Sequence, residues 1–233
     1  MKSFLLIGQS NMAGRGDFDE VPSIENKQCF MLRMGRWQPM SEPVNPDRSI
    51  WGYFHSGVGL SASFADEYAK HFGEDIGLIP CADGGTKLCQ WMKGEVLFDH
   101  AVMMTKLAMR TSELAGVLWH QGESDSHTEQ DATTYHDRLT RMLSDLKAEI
   151  GVDVPIIVGG LGDFVKLYKT PDKTALFADL VTEASKTVAK EQGYGFVSAA
   201  GLPCKDDGIH FTSAAYRELG KRYFEEYKRM VEG

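Results

Sequence analysis

Phe4-Leu5-Leu6-Ile7-Gly8-Gln9-Ser10-Asn11-Met12-Ala13-Gly14 decides the fold, because an apolar run too short for a core helix passes through one glycine into a small polar turn. Four apolar residues without alternation mark a strand covered on both faces, the situation of a central strand in a parallel α/β sheet. Such a strand delivers the polar turn to the carboxyl edge of the sheet, where open α/β folds bind their ligands. Ser10 there is either a nucleophile with free amides of the turn beside it or the N-cap of the next helical turn, a position serine favours. The stretch alone leaves both open. The choice depends on a base and a charge sink elsewhere.

The same signature recurs along the chain. Apolar runs at 74–80, 115–119, 155–160 and 195–199 read as four more buried strands. Between them the 3.6-residue period predicts helices at 59–72 (Leu60, Phe64, Tyr68, Phe72), at 96–114 (Leu97, Ala101, Met104, Leu107, Ala108, Leu114) and at 128–150 (Tyr135, Leu139, Met142, Leu143, Leu146). Two more helices are expected at 172–192 (Leu176, Leu180, Ala184, Val188) and at 213–231. This order predicts a flavodoxin-like three-layer α/β/α sandwich with a five-stranded parallel sheet, residues 1–233 forming a single domain. Residues 17–56 read as surface loops with a small hairpin about Met34-Gly35-Arg36. Trp37, Trp51, Tyr53 and Phe54 on them offer either a substrate wall or a satellite hydrophobic cluster.

Composition narrows the function. With 42% hydrophobic and 25% charged residues among 233, the chain is an ordinary globular protein. Its formal net charge of −8 argues against nucleic acid or an anionic membrane as the main partner, since each would call for a basic face. No apolar stretch approaches the ~18 residues of a membrane span, and the N-terminal apolar run lacks the form of a secretory signal. Cys29, Cys81, Cys89 and Cys204 have neither metal-ligand spacing nor the density of a disulfide scaffold, so buried thiols in the cytoplasm are expected.

Three strand ends each offer one chemical part: Ser10 after the first, Gln121 and Glu123 after the third, Asp207 and His210 after the fifth. A serine hydroxyl becomes a nucleophile when an imidazole takes its proton and a carboxylate fixes that imidazole's tautomer. Asp207 lies three residues before His210, so one loop can set both in mutual reach. A metal site from His120, Glu123, Asp125 and His127 is the weaker alternative, because Gly122 interrupts the run and the helical His-Glu-x-x-His arrangement is absent.

On these residues the sequence resembles the SGNH hydrolase superfamily, and within it the acetyl xylan esterase and sialate O-acetylesterase-like branch. Gly8-Gln9-Ser10-Asn11-Met12 is similar to the nucleophile block, Gly84-Gly85-Thr86 to the glycine block, His120-Gln121-Gly122-Glu123 to the third block and Asp207-Gly208-Ile209-His210 to the last. The resemblance implies Ser10 as nucleophile, His210 as base, and Asp207 or Glu123 as its acid. It further implies the Ser10 and Gly85 amides with the Gln121 side chain as oxyanion donors. Gln9, Asn11, Trp37 and Trp51 are the expected substrate contacts. The expected substrate is an O-acetyl ester of a small molecule or oligosaccharide, hydrolysed without metal or cofactor. An esterase of other short-chain esters is the nearer alternative, and a catalytically inert carbohydrate-binding protein on the same fold is the rival from another class.

Overall fold

In the computed structural model, which describes residues 1–46 and 55–233, a mixed sheet of seven strands carries helices on both sides. The strands are β1 (Lys2–Gly8), β2 (Cys29–Arg33), β3 (Arg36–Pro39), β4 (Ile76–Pro80), β5 (Glu113–His120), β6 (Ile156–Gly159) and β7 (Gly195–Val197), in the order β3-β2-β4-β1-β5-β6-β7. The five strands predicted from sequence lie as β4-β1-β5-β6-β7, all parallel, which is the flavodoxin order.

The expected five-stranded sheet is thus too small. The hairpin read within the loops is β2 and β3, and β2 runs parallel along β4 with Cys29 opposite Ile76 and Met31 opposite Leu78. The physical reason is edge protection: without the hairpin, β4 would present a row of unpaired backbone groups.

β1 explains why its sequence does not alternate. Phe4 and Leu6 face α2 (Leu60–Phe72) and α7 (Ser213–Glu232), while Leu5 and Ile7 face α3 (Val96–Ala108), α5 (Tyr135–Ile150) and α6 (Ala178–Gln192). Both faces are dry, so both need apolar side chains. Phe4 meets Phe64, Tyr68 and Tyr227 edge-on at centroid distances of 4.9, 5.2 and 4.9 Å, a geometry aromatic quadrupoles favour.

Three helix boundaries differ from expectation. The helix predicted at 96–114 ends at Ala108, and Leu114 belongs to β5, opposite Ser3. The one at 128–150 divides at Thr134 into α4 (Glu129–Thr133), capped by the Thr128 hydroxyl, and α5. The one at 172–192 starts at Ala178, with Leu176 and Leu180 exposed and Ala178, Val181, Ser185 and Val188 turned inward. Leu180 has the expected period but sits one position out of phase with the buried stripe. Of the cysteines, Cys29 and Cys81 are buried as expected, whereas Cys89 is exposed and Cys204 half-buried.

The pairing of α2 with α7 requires one small residue. A Cβ on Gly220 would stand 2.1 Å from the Leu60 carbonyl oxygen and 2.2 Å from Ser63 Oγ, so alanine there must push two helix backbones apart. Gly220→Ala is expected to destabilise the fold by about 2 kcal/mol through overpacking. Urea unfolding reads this as a lower midpoint with an unchanged slope, and a wild-type midpoint would mean that the helices separate freely.

Candidate active site

The site begins where β1 and β5 run side by side. Gly8 has φ +135°, and a Cβ on it would lie 2.1 Å from the His120 carbonyl oxygen. Glycine alone permits that approach, and it allows the Gln9 amide to donate to the same oxygen at 3.0 Å. The next residue, Ser10, opens the short helix α1 (Ser10–Ala13), and no side chain caps it. The first amides of a helix lack intrahelical acceptors; here the Met12 and Ala13 amides already donate to the Gln9 carbonyl, both at 3.0 Å, which leaves those of Ser10 and Asn11 at the helix start beside the Ser10 hydroxyl. The glycine turn after β4 borders it too, since a Cβ on Gly84 would sit 3.6 Å from Ser10 Cβ.

Across from Ser10, the loop after β7 carries His210 and Asp207. His210 Nδ1 donates to Asp207 Oδ2 at 2.8 Å, which leaves Nε2 as an acceptor for the Ser10 hydroxyl at 2.9 Å. The second Asp207 oxygen accepts the backbone amides of Ile209 and His210, both at 3.0 Å. Burial alone would raise the Asp207 carboxyl, but those amides and the imidazole outweigh it and hold it below the usual carboxylate range. Burial lowers His210, with Asp207 opposing and the Arg15 and Lys205 charges pressing in the same direction as burial. The base is therefore neutral near pH 7 and poised to take a proton.

Several expected residues lie beneath this surface rather than in it. Gln121 is 0% exposed, its Nε2 directed at Gln9 Oε1, the Thr86 carbonyl and Asp125 Oδ2 at 3.1, 2.9 and 2.7 Å, and its Oε1 accepts from Tyr135 at 2.9 Å. An amide nitrogen has two hydrogens, and here both are engaged inside the protein. The expectation that Gln121 donates to an oxyanion is corrected accordingly. Gln9 and Asn11, expected to touch substrate, are buried as well. Gln9 Oε1 faces the Gln121 amide and the backbone of Ser124 at 3.3 Å. Asn11 binds Glu123, the Ile209 carbonyl and Tyr216.

Glu123, the alternative acid, is 1% exposed and contacts Asn11, whereas the histidine nitrogen is taken by Asp207. Trp37 lies at the other end of the sheet: its ring covers Gly77, near the start of β4, and its Nε1 donates to Thr111 at 3.1 Å. It closes the hairpin onto the sheet and is not brought to Ser10. Trp51, Tyr53 and Phe54 lie outside the described residues. The residues of the metal alternative diverge, His120 bonding Tyr223 and His127 the Thr174 carbonyl. Among the described residues no three potential ligands converge.

Sequence reasoning missed the walls of the cleft. About 660 Å³ in volume, it is bounded by Arg15, Gly16, Asp17, Phe18, Asp19, His55, Ser56, Gly57, Lys205, Asp207 and His210. Lys205 ties two of its segments, donating to the Arg15 carbonyl at 2.9 Å and pairing with Asp17 at 2.8 Å. The available signal was glycine spacing: Gly14, Gly16, Gly57 and Gly59 let the segment after α1 cross the one before α2, bonded through Gly16 and Val58.

Comparison with known proteins adds independent findings. The family model described as carbohydrate esterase, sialic acid-specific acetylesterase, matches residues 1–229. A probable carbohydrate esterase of Arabidopsis thaliana is 30% identical over 247 residues, covering 96% of this chain and 89% of that protein. A crystal structure from Arabidopsis thaliana superposes with a TM-score of 0.85 at 29% identity, covering 98% of each chain. The structure of NanS does so at 0.79 and 16% identity, covering 99% of this chain and 97% of the other; at that identity it speaks for the fold.

The buried position of Gln121 has a measurable consequence. Gln121→Ala would remove a donor from the buried Asp125 carboxylate and an acceptor from Tyr135, so a loss of about 2 kcal/mol in folding stability is expected. Denaturant unfolding checks it. A variant of wild-type stability but low turnover would return Gln121 to the oxyanion.

Proposed function

This chain belongs to the carbohydrate esterase family of sialic acid-specific acetylesterases, and from that footing we propose that it hydrolyses O-acetyl esters of carbohydrates through an acyl-enzyme intermediate on Ser10. The observation that carries this reading is the unbroken hydrogen-bonded run from Ser10 Oγ to His210 Nε2 and from His210 Nδ1 to Asp207.

His210 takes the hydroxyl proton as Ser10 Oγ attacks the acetyl carbonyl carbon. The oxyanion that forms is met by the backbone amides of Ser10 and Gly85, donors that need no reorganisation at the moment of reaction. Asp207 holds the imidazole in the required tautomer and stabilises its protonated form. Collapse of the tetrahedral intermediate breaks the bond to the sugar oxygen, which leaves with the proton from His210. Water, deprotonated by the same histidine, then attacks the carbonyl carbon of acetyl-Ser10, and collapse of this second intermediate breaks the bond to Ser10 Oγ, which recovers its proton from His210 as acetate leaves. The cleft beside His210 would hold the sugar, with Phe18 offering a ring face and Arg15, Asp17, Asp19 and Lys205 offering charged and hydrogen-bonding groups.

A panel of acetylated sialic acid, acetylated xylan and short aryl acetates tests substrate class and mechanism together. Ser10→Ala is expected to fold normally and lose at least about 10⁴-fold in turnover on every substrate accepted by the wild type. Retention of a tenth of the activity would end the serine reading. EDTA should change nothing, and loss of activity restored by zinc would put a metal mechanism in its place.

The pH profile is set by His210. Its protonated form cannot accept the Ser10 proton, so kcat/KM falls as pH drops through its pKa. Because burial lowers that pKa, the acid limb is expected below pH 6.5, the unperturbed value for histidine. A limb centred above 7 would point to a different ionisation.

A further inference from the structure

Asn11 comes directly after Ser10 in the chain, and Ile209 directly before His210. The side chain of one binds the backbone of the other: Asn11 Nδ2 donates to the Ile209 carbonyl at 3.0 Å. The same nitrogen donates to Glu123 Oε1, and Asn11 Oδ1 accepts from the Tyr216 hydroxyl of α7 at 2.5 Å. Asn11 is 0% exposed. Two acceptors on one side and a donor on the other fix which way its amide points. If the Glu123 oxygen is removed, one hydrogen of Nδ2 is left unpaired in a dry site, and the amide can turn away from Ile209.

We propose that Glu123 is a positioning residue, acting through Asn11 to keep the loop bearing His210 in register with Ser10. The inference rests on the serine reading above. What Glu123 supplies is an acceptor, not a charge. Its other oxygen, Oε2, has no hydrogen-bond partner among the described residues, and the charge that acts on the carboxyl is that of Asp125 on the same turn, which repels. Burial pushes the carboxyl up to about 7, consistent with a site where no ion pair depends on it. Glutamine keeps Oε1 and the shape, and so keeps the function. Methionine keeps the volume and loses the oxygen.

The test uses kcat, KM and pH profiles with p-nitrophenyl acetate, after thermal unfolding of each variant. Glu123→Met is expected to lower kcat about 100-fold, the effect of misplacing catalytic groups by an ångström or so, with KM within about threefold of wild type. Glu123→Gln should stay within about threefold of wild-type kcat, its acid limb unmoved because that limb belongs to His210. Asn11→Ala should lose as much as Glu123→Met, and the double variant no more than either, since both break one connection. Equal damage in Glu123→Gln and Glu123→Met would overturn the proposal by making the charge the requirement. So would wild-type turnover in Glu123→Met, or losses that multiply in the double variant. Should Glu123→Met fail to fold, Glu123→Gln decides alone: a loss beyond tenfold or a shifted acid limb overturns the proposal. Labelling of Ser10 by a fluorophosphonate in the wild-type protein checks the serine reading separately; its absence would remove that reading and this one with it.

Discussion

The close contact between the backbone of Gly8 and the carbonyl of His120 is the constraint on which the site depends. It forces the chain leaving β1 to turn against the end of β5, at the place where the sheet's connections change direction. Once the Gln9 amide is bonded to that carbonyl, the residues on either side of Ser10 are directed inward, Gln9 toward the loop after β5 and Asn11 toward α7 and the loop of His210. Ser10, 6% exposed and the least buried of the three, is turned to His210. Its placement is thus a product of backbone geometry two residues earlier.

Much of this was legible in the sequence because it rests on local signals. Buried strands announce themselves as apolar runs, and the five parallel strands, the hairpin and the short spacing from Asp207 to His210 can be read from such runs and from turn chemistry. Side-chain direction was less legible. Gln9 and Asn11 sit in one stretch that resembles a catalytic block and Gln121 in another, and nothing in a linear pattern says whether an amide points to substrate or to a buried neighbour. The phase of α6 was missed for a related reason: Leu176 and Leu180 repeat at the right interval, and only packing against β6 and β7 decides which stripe is covered. The cleft walls come from segments that cross far from one another in sequence.

The underside of the site is as polar as its surface. Asp125 is wholly buried, yet it accepts from the Leu88 amide at 2.8 Å and from Gln121, and pairs with Arg138 at 2.9 Å. These bonds attach the stretch after the glycine turn to the end of β5. Buried charge is a weak source of net stability. Here it fixes the relative position of two loops that a purely apolar core would leave free to slide.

His120 and Glu123 carry one more consequence, in proton bookkeeping. Burial takes His120 down to about 4 and Glu123 up to about 7. Between pH 4.5 and 6.5, the ordinary values for the two groups, an unfolded chain holds one proton on the histidine and none on the glutamate. The folded chain reverses this. Taken singly, a depressed histidine favours folding at higher pH and a raised carboxyl favours it at lower pH. Together they bind one proton in either state, so their summed contribution to the pH slope of stability is near zero. Folding moves a proton from an imidazole to a carboxyl three residues away, and the strand end on which the site is built enters the core without exchanging charge with the solvent.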